Sequence, residues 1–246
     1  MKNLLLVIAV LASFPILNCS YAQSFDTISL DTLTVEKYGQ TFKNGAVVDF
    51  VYQFIYPTND TPAIRQIREQ MIQSFFNVES PMPLEQAQKH YEKEEMTEAQ
   101  YFGDSPCWNT AYSGVKISNN KVLSFFIQEY YYGGGPHSYE YSQCQCYDLQ
   151  TGNRITLQDL FYVIQTDDPY DNELLCLINE QLYPQYNLGA HFISQNFALL
   201  PQGILFIYDL YDIGSYADGI QRVILPFSKI RHLLKPIALT YFENNQ

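Results

Sequence analysis

Apolar and polar positions alternate with a period of two from Val122 to Tyr131. Val122, Ser124, Phe126, Gln128 and Tyr130 fall on one face of an extended chain, and Leu123, Phe125, Ile127, Glu129 and Tyr131 on the other. Aromatic and β-branched residues occupy both faces, so the pattern predicts a strand covered on both sides, at the centre of a sheet rather than its edge. Gly133-Gly134-Gly135-Pro136 must reverse the chain, and glycine tolerates the positive φ of a sharp bend. A second aromatic strand returns to Tyr147-Asp148-Leu149, and Thr151-Gly152-Asn153 turns again into a leucine-bearing connection ending at Leu160.

Upstream, Ile28–Tyr38 and Ala46–Tyr56 flank Lys43-Asn44-Gly45, and Asn-Gly between two such runs predicts a hairpin. Thr61-Pro62 supplies an N-cap and a first-turn proline. Ile64, Ile67, Met71, Ile72 and Phe75 then recur at helical spacing, which predicts a helix lying across that hairpin. A more polar helix follows from Leu84 to about Tyr101, its charge run reading as a solvated face. Strands resume at Trp108–Ile117, before a turn at Ser118-Asn119-Asn120. Beyond Leu160 a third helix is expected over Pro169–Tyr186, burying Leu174, Leu175, Leu177, Ile178 and Leu182. Asp167, Asp168 and Asp171 sit near its start, where carboxylates favour exposed amides. Strands at Phe197–Leu200, Gly203–Leu210 and Arg222–Leu225 and a closing helix from Phe227 to Leu234 complete the order. The fold class expected is α+β, mainly antiparallel sheets with helices packed on one face, in two intimately associated subdomains.

The first residues suggest the compartment. Lys2, the apolar run Leu4–Leu17 and the small-x-small ending Ser20-Tyr21-Ala22 predict a signal peptide over residues 1–22, and hence a periplasmic or extracellular protein. Lipidation at Cys19 is the alternative, and Asn18 before it departs from the small residue such a site carries. No other run is long enough to span a bilayer. With 14 Lys and Arg against 26 Asp and Glu, the net charge is −12, and losing the leader removes a lysine and no acid. Such a chain repels phosphate backbones, so nucleic acid is not an expected partner, whereas a basic protein would be attracted.

Four cysteines follow the leader: Cys107, Cys144, Cys146 and Cys176. Cys144 and Cys146, two apart on a strand, share a face and bond each other poorly. A single disulfide from Cys107 to one of them is the expected pairing, with buried thiols as the alternative. A C-x-C without a nearby histidine pair does not make a metal site, and the glycine run lacks the lysine and helix start of a phosphate loop. No cofactor or metal is expected. His137, at the end of the glycine turn, is the histidine with most chemical interest, although no nucleophile or second ligand accompanies it.

The succession Gly133-Gly134-Gly135-Pro136-His137, Tyr147-Asp148-Leu149 and Thr151-Gly152-x-x-Ile155-x-Leu157-x-Asp159-Leu160-Phe161 resembles a bacterial extracytoplasmic domain family of largely unknown function. That family includes the sensor region of the anti-sigma factor RsiV and the non-catalytic region of the peptidoglycan deacetylase PdaC. Gly203–Tyr208, Tyr211-Asp212-Ile213-Gly214-Ser215-Tyr216 and Val223–Ser228 resemble its second motif. Pro136 replaces an alanine of the pattern, and Gly214-Ser215 stands where a proline is expected. The resemblance implies a PdaC-like subdomain over 23–150, an RsiV-like subdomain over 151–246, and capture of a lysozyme-type muramidase, commonly basic, or of a peptidoglycan glycan. Ligand-binding residues expected on this reading are Gly134, Gly135, His137, Tyr139, Tyr211, Asp212 and Tyr216, with none catalytic. Two other readings stand beside it: a hydrolase of envelope polymers with His137 as base and Asp212 or Glu140 as partner, and a structural domain without a ligand.

Overall fold

The computed structural model describes residues 28–41, 45, 47–99, 107–118, 120–164 and 171–242. The expected leader, Cys19, the Lys43-Asn44 turn residues, Asp167 and Asp168 lie outside them. The first half forms β1 (Leu30–Thr41), β2 (Val47–Pro57), α1 (Pro62–Phe75), α2 (Leu84–Ala99), β3 (Cys107–Ser118), β4 (Val122–Tyr132) and β5 (Tyr139–Asp148). After the next turn come β6 (Arg154–Ile155), α3 (Leu157–Leu160), α4 (Glu173–Tyr186), β7 (Phe197–Leu200), β8 (Gly203–Tyr208), β9 (Gln221–Pro226), α5 (Phe227–Ile230) and α6 (Pro236–Phe242). Strands one to six form one sheet in sequence order, and β7, β8 and β9 a second. The fold is α+β, and every described strand pair is antiparallel except β2–β3, which run parallel because α1 and α2 form the crossover between them.

The alternation along β4 sorts its side chains between two cores. Leu123, Phe125 and Ile127 join Phe50, Tyr52 and Phe54 of β2 and Ile64, Ile67, Met71 and Phe75 of α1 in one cluster. Val122 and Phe126 join Cys144, Cys146, the small sheet and Leu174, Leu175, Ile178 and Leu182 of α4 in the other. The large sheet therefore separates a helical layer from the small sheet, and its centre is buried on both faces. Polar groups fix the contact between the sheets: the Ser118 and Ser124 hydroxyls donate to the Leu199 carbonyl at 3.2 and 2.8 Å.

Local signals place the helices. Thr61 Oγ1 accepts from the Ile64 amide at 3.3 Å and Pro62 opens α1. Gly152, at φ 80°, brings the β5–β6 turn against this end of α1, where an added Cβ would lie 2.7 Å from the Ala63 carbonyl oxygen. Gln70 donates to the Gly152 carbonyl at 2.9 Å. Thr156 and Asp159 cap α3 reciprocally, turning the leucine-bearing connection into one helical turn.

Three expectations change. The third helix begins at Glu173 with Asn172 as its cap, whose side-chain oxygen accepts from the Leu175 amide at 3.2 Å, and the expected start at Pro169 lies outside the described residues. The closing helix is broken: α5 passes into a 3₁₀ turn over Arg231–Leu233, Leu234 is extended, and Pro236 starts α6, whose Tyr241 hydroxyl donates to Asp148 Oδ2 at 2.9 Å. The expected disulfide from Cys107 is not formed. Cys144 aligns with Phe126 and through it with Gly114, seven positions along β3 from Cys107, which is about 23 Å of strand. Cys107 also packs in the helical core, across the sheet from Cys144 and Cys146, and a disulfide needs Cα atoms within roughly 7 Å. Among the described residues, no helix is long and apolar enough to cross a membrane.

Candidate functional site

The glycine turn between β4 and β5 meets the loop after β8. At the turn, Gly134 takes φ 83°, which only glycine adopts without strain, whereas an added Cβ at Gly135 would meet open space. The chain then presents His137, whose Nδ1 lies 3.1 Å from the Ser138 carbonyl oxygen.

The opposing loop is held by its own short polar side chains. Asp212 Oδ2 accepts from the Asp209 amide at 2.7 Å while the Asp212 amide donates to the Asp209 carbonyl at 3.1 Å, closing a turn that carries Tyr211 at φ 71°. Asp218 Oδ2 accepts from the amide and hydroxyl of Ser215, both at 2.7 Å, and caps a 3₁₀ turn over Tyr216–Asp218. This pins Tyr216 over the glycine turn: its ring stacks on His137 with centroids 3.9 Å apart, and its hydroxyl donates to the Ser138 carbonyl at 2.7 Å. Tyr211 follows with its ring centroid 6.3 Å from that of Tyr216, and is 59% exposed.

Of the residues expected to bind a ligand, His137, Tyr211 and Tyr216 thus form one aromatic surface, and Asp212 shapes the loop beneath it. Gly134 sets the bend. Tyr139 stands at the start of β5, where burial and then Asp209, Asp212 and Tyr211 raise its hydroxyl pKa, which places it beside the same loop. The carboxylates suggested as partners of a His137 base take other contacts: Asp212 the Asp209 backbone amide, and Glu140 the Gln128 side-chain Nε2 at 2.7 Å and the Arg222 guanidinium at 3.8 Å. No three His, Cys, Asp or Glu side chains converge as metal ligands among the described residues.

Two residues that the sequence did not single out organise this region. β6 pairs only with Cys146 and Tyr147, so the edge of β5 before them needs other partners. The Asn196 side chain accepts from the Cys144 amide at 2.8 Å and donates to the Ser142 carbonyl at 2.6 Å, and Asp209 Oδ1 accepts from the Ser142 amide at 3.1 Å. The two side chains replace a missing strand.

Burial first, and Asp212 and Glu140 after it, push Asp209 from an ordinary 3.8 to about 6, against the opposing pull of the Ser142 amide and Arg222. Because the folded value is raised, the protonated form favours folding. That contribution is fully present below 3.8 and is lost as pH rises through about 6. Asp209→Asn keeps an oxygen for the Ser142 amide and carries no charge. It is expected to raise the melting temperature near pH 7.5 by the equivalent of ~1 kcal/mol, allowing for solvent screening of a partly buried group. Thermal melts should show the gap closing by about pH 4, and a gap unchanged at both pH values would contradict the assignment.

No curated protein matches this chain. Among solved structures, it is similar to a DUF3298 family member from Bacteroides fragilis NCTC 9343, with 20% identity and a TM-score of 0.75 over 88% of this chain and 98% of that one. It is also similar to a DUF3298 family protein from Pseudomonas aeruginosa PAO1, with 16% identity and a TM-score of 0.61 over 85% and 95% of the two chains. At these identities the likeness establishes the fold. Within that fold, the segment from the α3 capping residue Asp159 to Ser228, residues 159–228, matches the family described as protein of unknown function (DUF3298).

Proposed function

We propose that this chain is a non-catalytic binding module of the cell envelope, exported behind residues 1–22, which captures a basic protein of the muramidase type on the His137–Tyr216–Tyr211 surface. The observation that carries the reading is the stack of His137 on Tyr216, fixed by a hydrogen bond between loops 78 residues apart. Aromatic rings already held in place lose little conformational freedom on binding, which suits them as interface anchors. The net charge of −12, with Asp209, Asp212 and Asp218 on the same loop, favours a basic partner and speeds encounter. The sequence resemblance to the family containing the RsiV sensor region supports the same class of partner, and peptidoglycan glycan is the other ligand that this resemblance implies.

The test is surface binding of the full chain to a c-type lysozyme and, separately, to soluble peptidoglycan glycan strands. Lysozyme is expected to bind with an on-rate that falls as salt is raised, and Tyr216→Ala to weaken it at least about tenfold. His137→Ala, at an exposed position, should act in the same direction with less effect on the fold. Wild-type protein that binds neither ligand, or a Tyr216→Ala protein with intact melting behaviour and unchanged affinity, would overturn the reading. Binding of glycan strands alone would overturn the choice of partner.

A further inference from the structure

The turn that carries Tyr216 ends in carbonyls that its own hydrogen bonds cannot use. It closes through the Asp218 side chain and through the Asp218 and Gly219 amides, which donate to the Ser215 and Tyr216 carbonyls, both at 3.1 Å. A turn this short leaves its last carbonyls, those of Asp218 and Gly219, without an amide of its own to accept from. Both accept instead from the Gln221 side-chain Nε2, Asp218 at 3.0 Å. Gln221 is the first residue of β9, pairs with Tyr208 of β8 and is 1% exposed. Its amide therefore ties the turn to the small sheet, while the Tyr216 hydroxyl ties it to Ser138 beyond the glycine turn.

The other half of the Gln221 amide is idle. Nε2 carries two N–H groups and has two carbonyls to serve, whereas Oε1 is buried with no hydrogen-bond partner among the described residues. Reversing the amide would set Oε1 against those two carbonyl oxygens, so its orientation is fixed. A buried acceptor without a donor costs stability comparable to what a hydrogen bond contributes, and an apolar side chain of the same length would avoid that cost. The glutamine thus adds little to folding, and what it does add is a fixed shape for the turn.

We propose that Gln221 is a positioning residue for capture: through Asp218 and Gly219 it keeps the Tyr216 ring where it stacks on His137. This role rests on the capture surface proposed above, and it belongs to a buried residue outside that surface. A loop held in one shape before encounter spares the complex the cost of ordering it, so freeing the turn lowers affinity without removing any contact with the partner.

Gln221→Met, which keeps the length of the side chain and removes both donor and acceptor, tests this in the full chain. The Asp218 and Gly219 amides are expected to exchange with solvent at least about threefold faster than in the wild type, and the His137 ring protons to lose the ring-current shift that Tyr216 gives them, both read by NMR with no ligand present. Lysozyme affinity should fall on the order of three- to tenfold with the salt dependence of the on-rate unchanged, while the melting temperature stays within about 4 °C of wild type. Ser215→Ala, at an exposed position, loosens the same turn from outside and should act in the same direction without disturbing the core. Added to Gln221→Met it should weaken binding by less than it does alone, since both act on one turn. Wild-type exchange in a folded Gln221→Met protein, faster exchange with wild-type lysozyme affinity, or a larger fall in melting temperature would each overturn the role. A wild-type chain that binds no lysozyme overturns the capture reading instead, and the exchange rates then decide by themselves whether Gln221 holds the turn.

Discussion

Phe54→Ala is expected to lower the unfolding free energy by about 3–5 kcal/mol, the range for a large aromatic removed from a packed core. Phe54 is fully buried in β2, and its ring lies 4.9 Å from Phe75, 5.1 Å from Phe76, 5.5 Å from Tyr56 and 6.1 Å from Phe125, centroid to centroid. These neighbours come from the hairpin, α1 and the central strand, so no single element can shift to fill the space. Lost apolar burial and lost dispersion contacts then add. Urea unfolding followed by circular dichroism measures the change. A loss below about 1 kcal/mol would mean that the helical layer is not packed on β2 as described.

Gly203→Ala is expected to cost about 3 kcal/mol or to prevent folding altogether, although it adds one methyl group. Gly203 opens β8 between Leu200 of β7 and Pro226 of β9. A Cβ there would lie 2.0 Å from the Leu225 carbonyl oxygen and 2.9 Å from its carbon. Both are backbone atoms of the adjoining strand, so relief requires opening the β8–β9 ladder rather than turning a side chain. Gly135→Ala is the matched control, since its Cβ would meet nothing within 4 Å, and it should change stability by no more than about 0.5 kcal/mol. Soluble yield and urea midpoints compare the pair. Equal behaviour of the two variants would contradict the close approach of β8 to β9.

The central strand was legible because its signal is local. A period of two across Val122–Tyr131 states which residues share a face, and aromatic residues on both faces state that both are covered. The helix at Pro62–Phe75 was legible through Thr61, Pro62 and the spacing of Ile64, Ile67 and Met71. Asn196 and Asp209 carried no such signal, because acting as a substitute strand depends on where β6 stops pairing, and pairing is not written in either residue. The cysteines misled for a related reason, since an oxidising compartment permits a bond but strand register sets the distance.

The chain alone determined strands β1 to β5 and β7 to β9, helices α1 and α2, its acidity and its glycine turn, because hydrophobic period, capping and charge act over a few residues. Tertiary structure decided that β2 and β3 run parallel, that a small sheet covers the second face of the large one, and that His137 reaches Tyr216. Each of those depends on which distant segments lower their free energy together. Periodicity says that a face must be buried, and only the packed layers say against what.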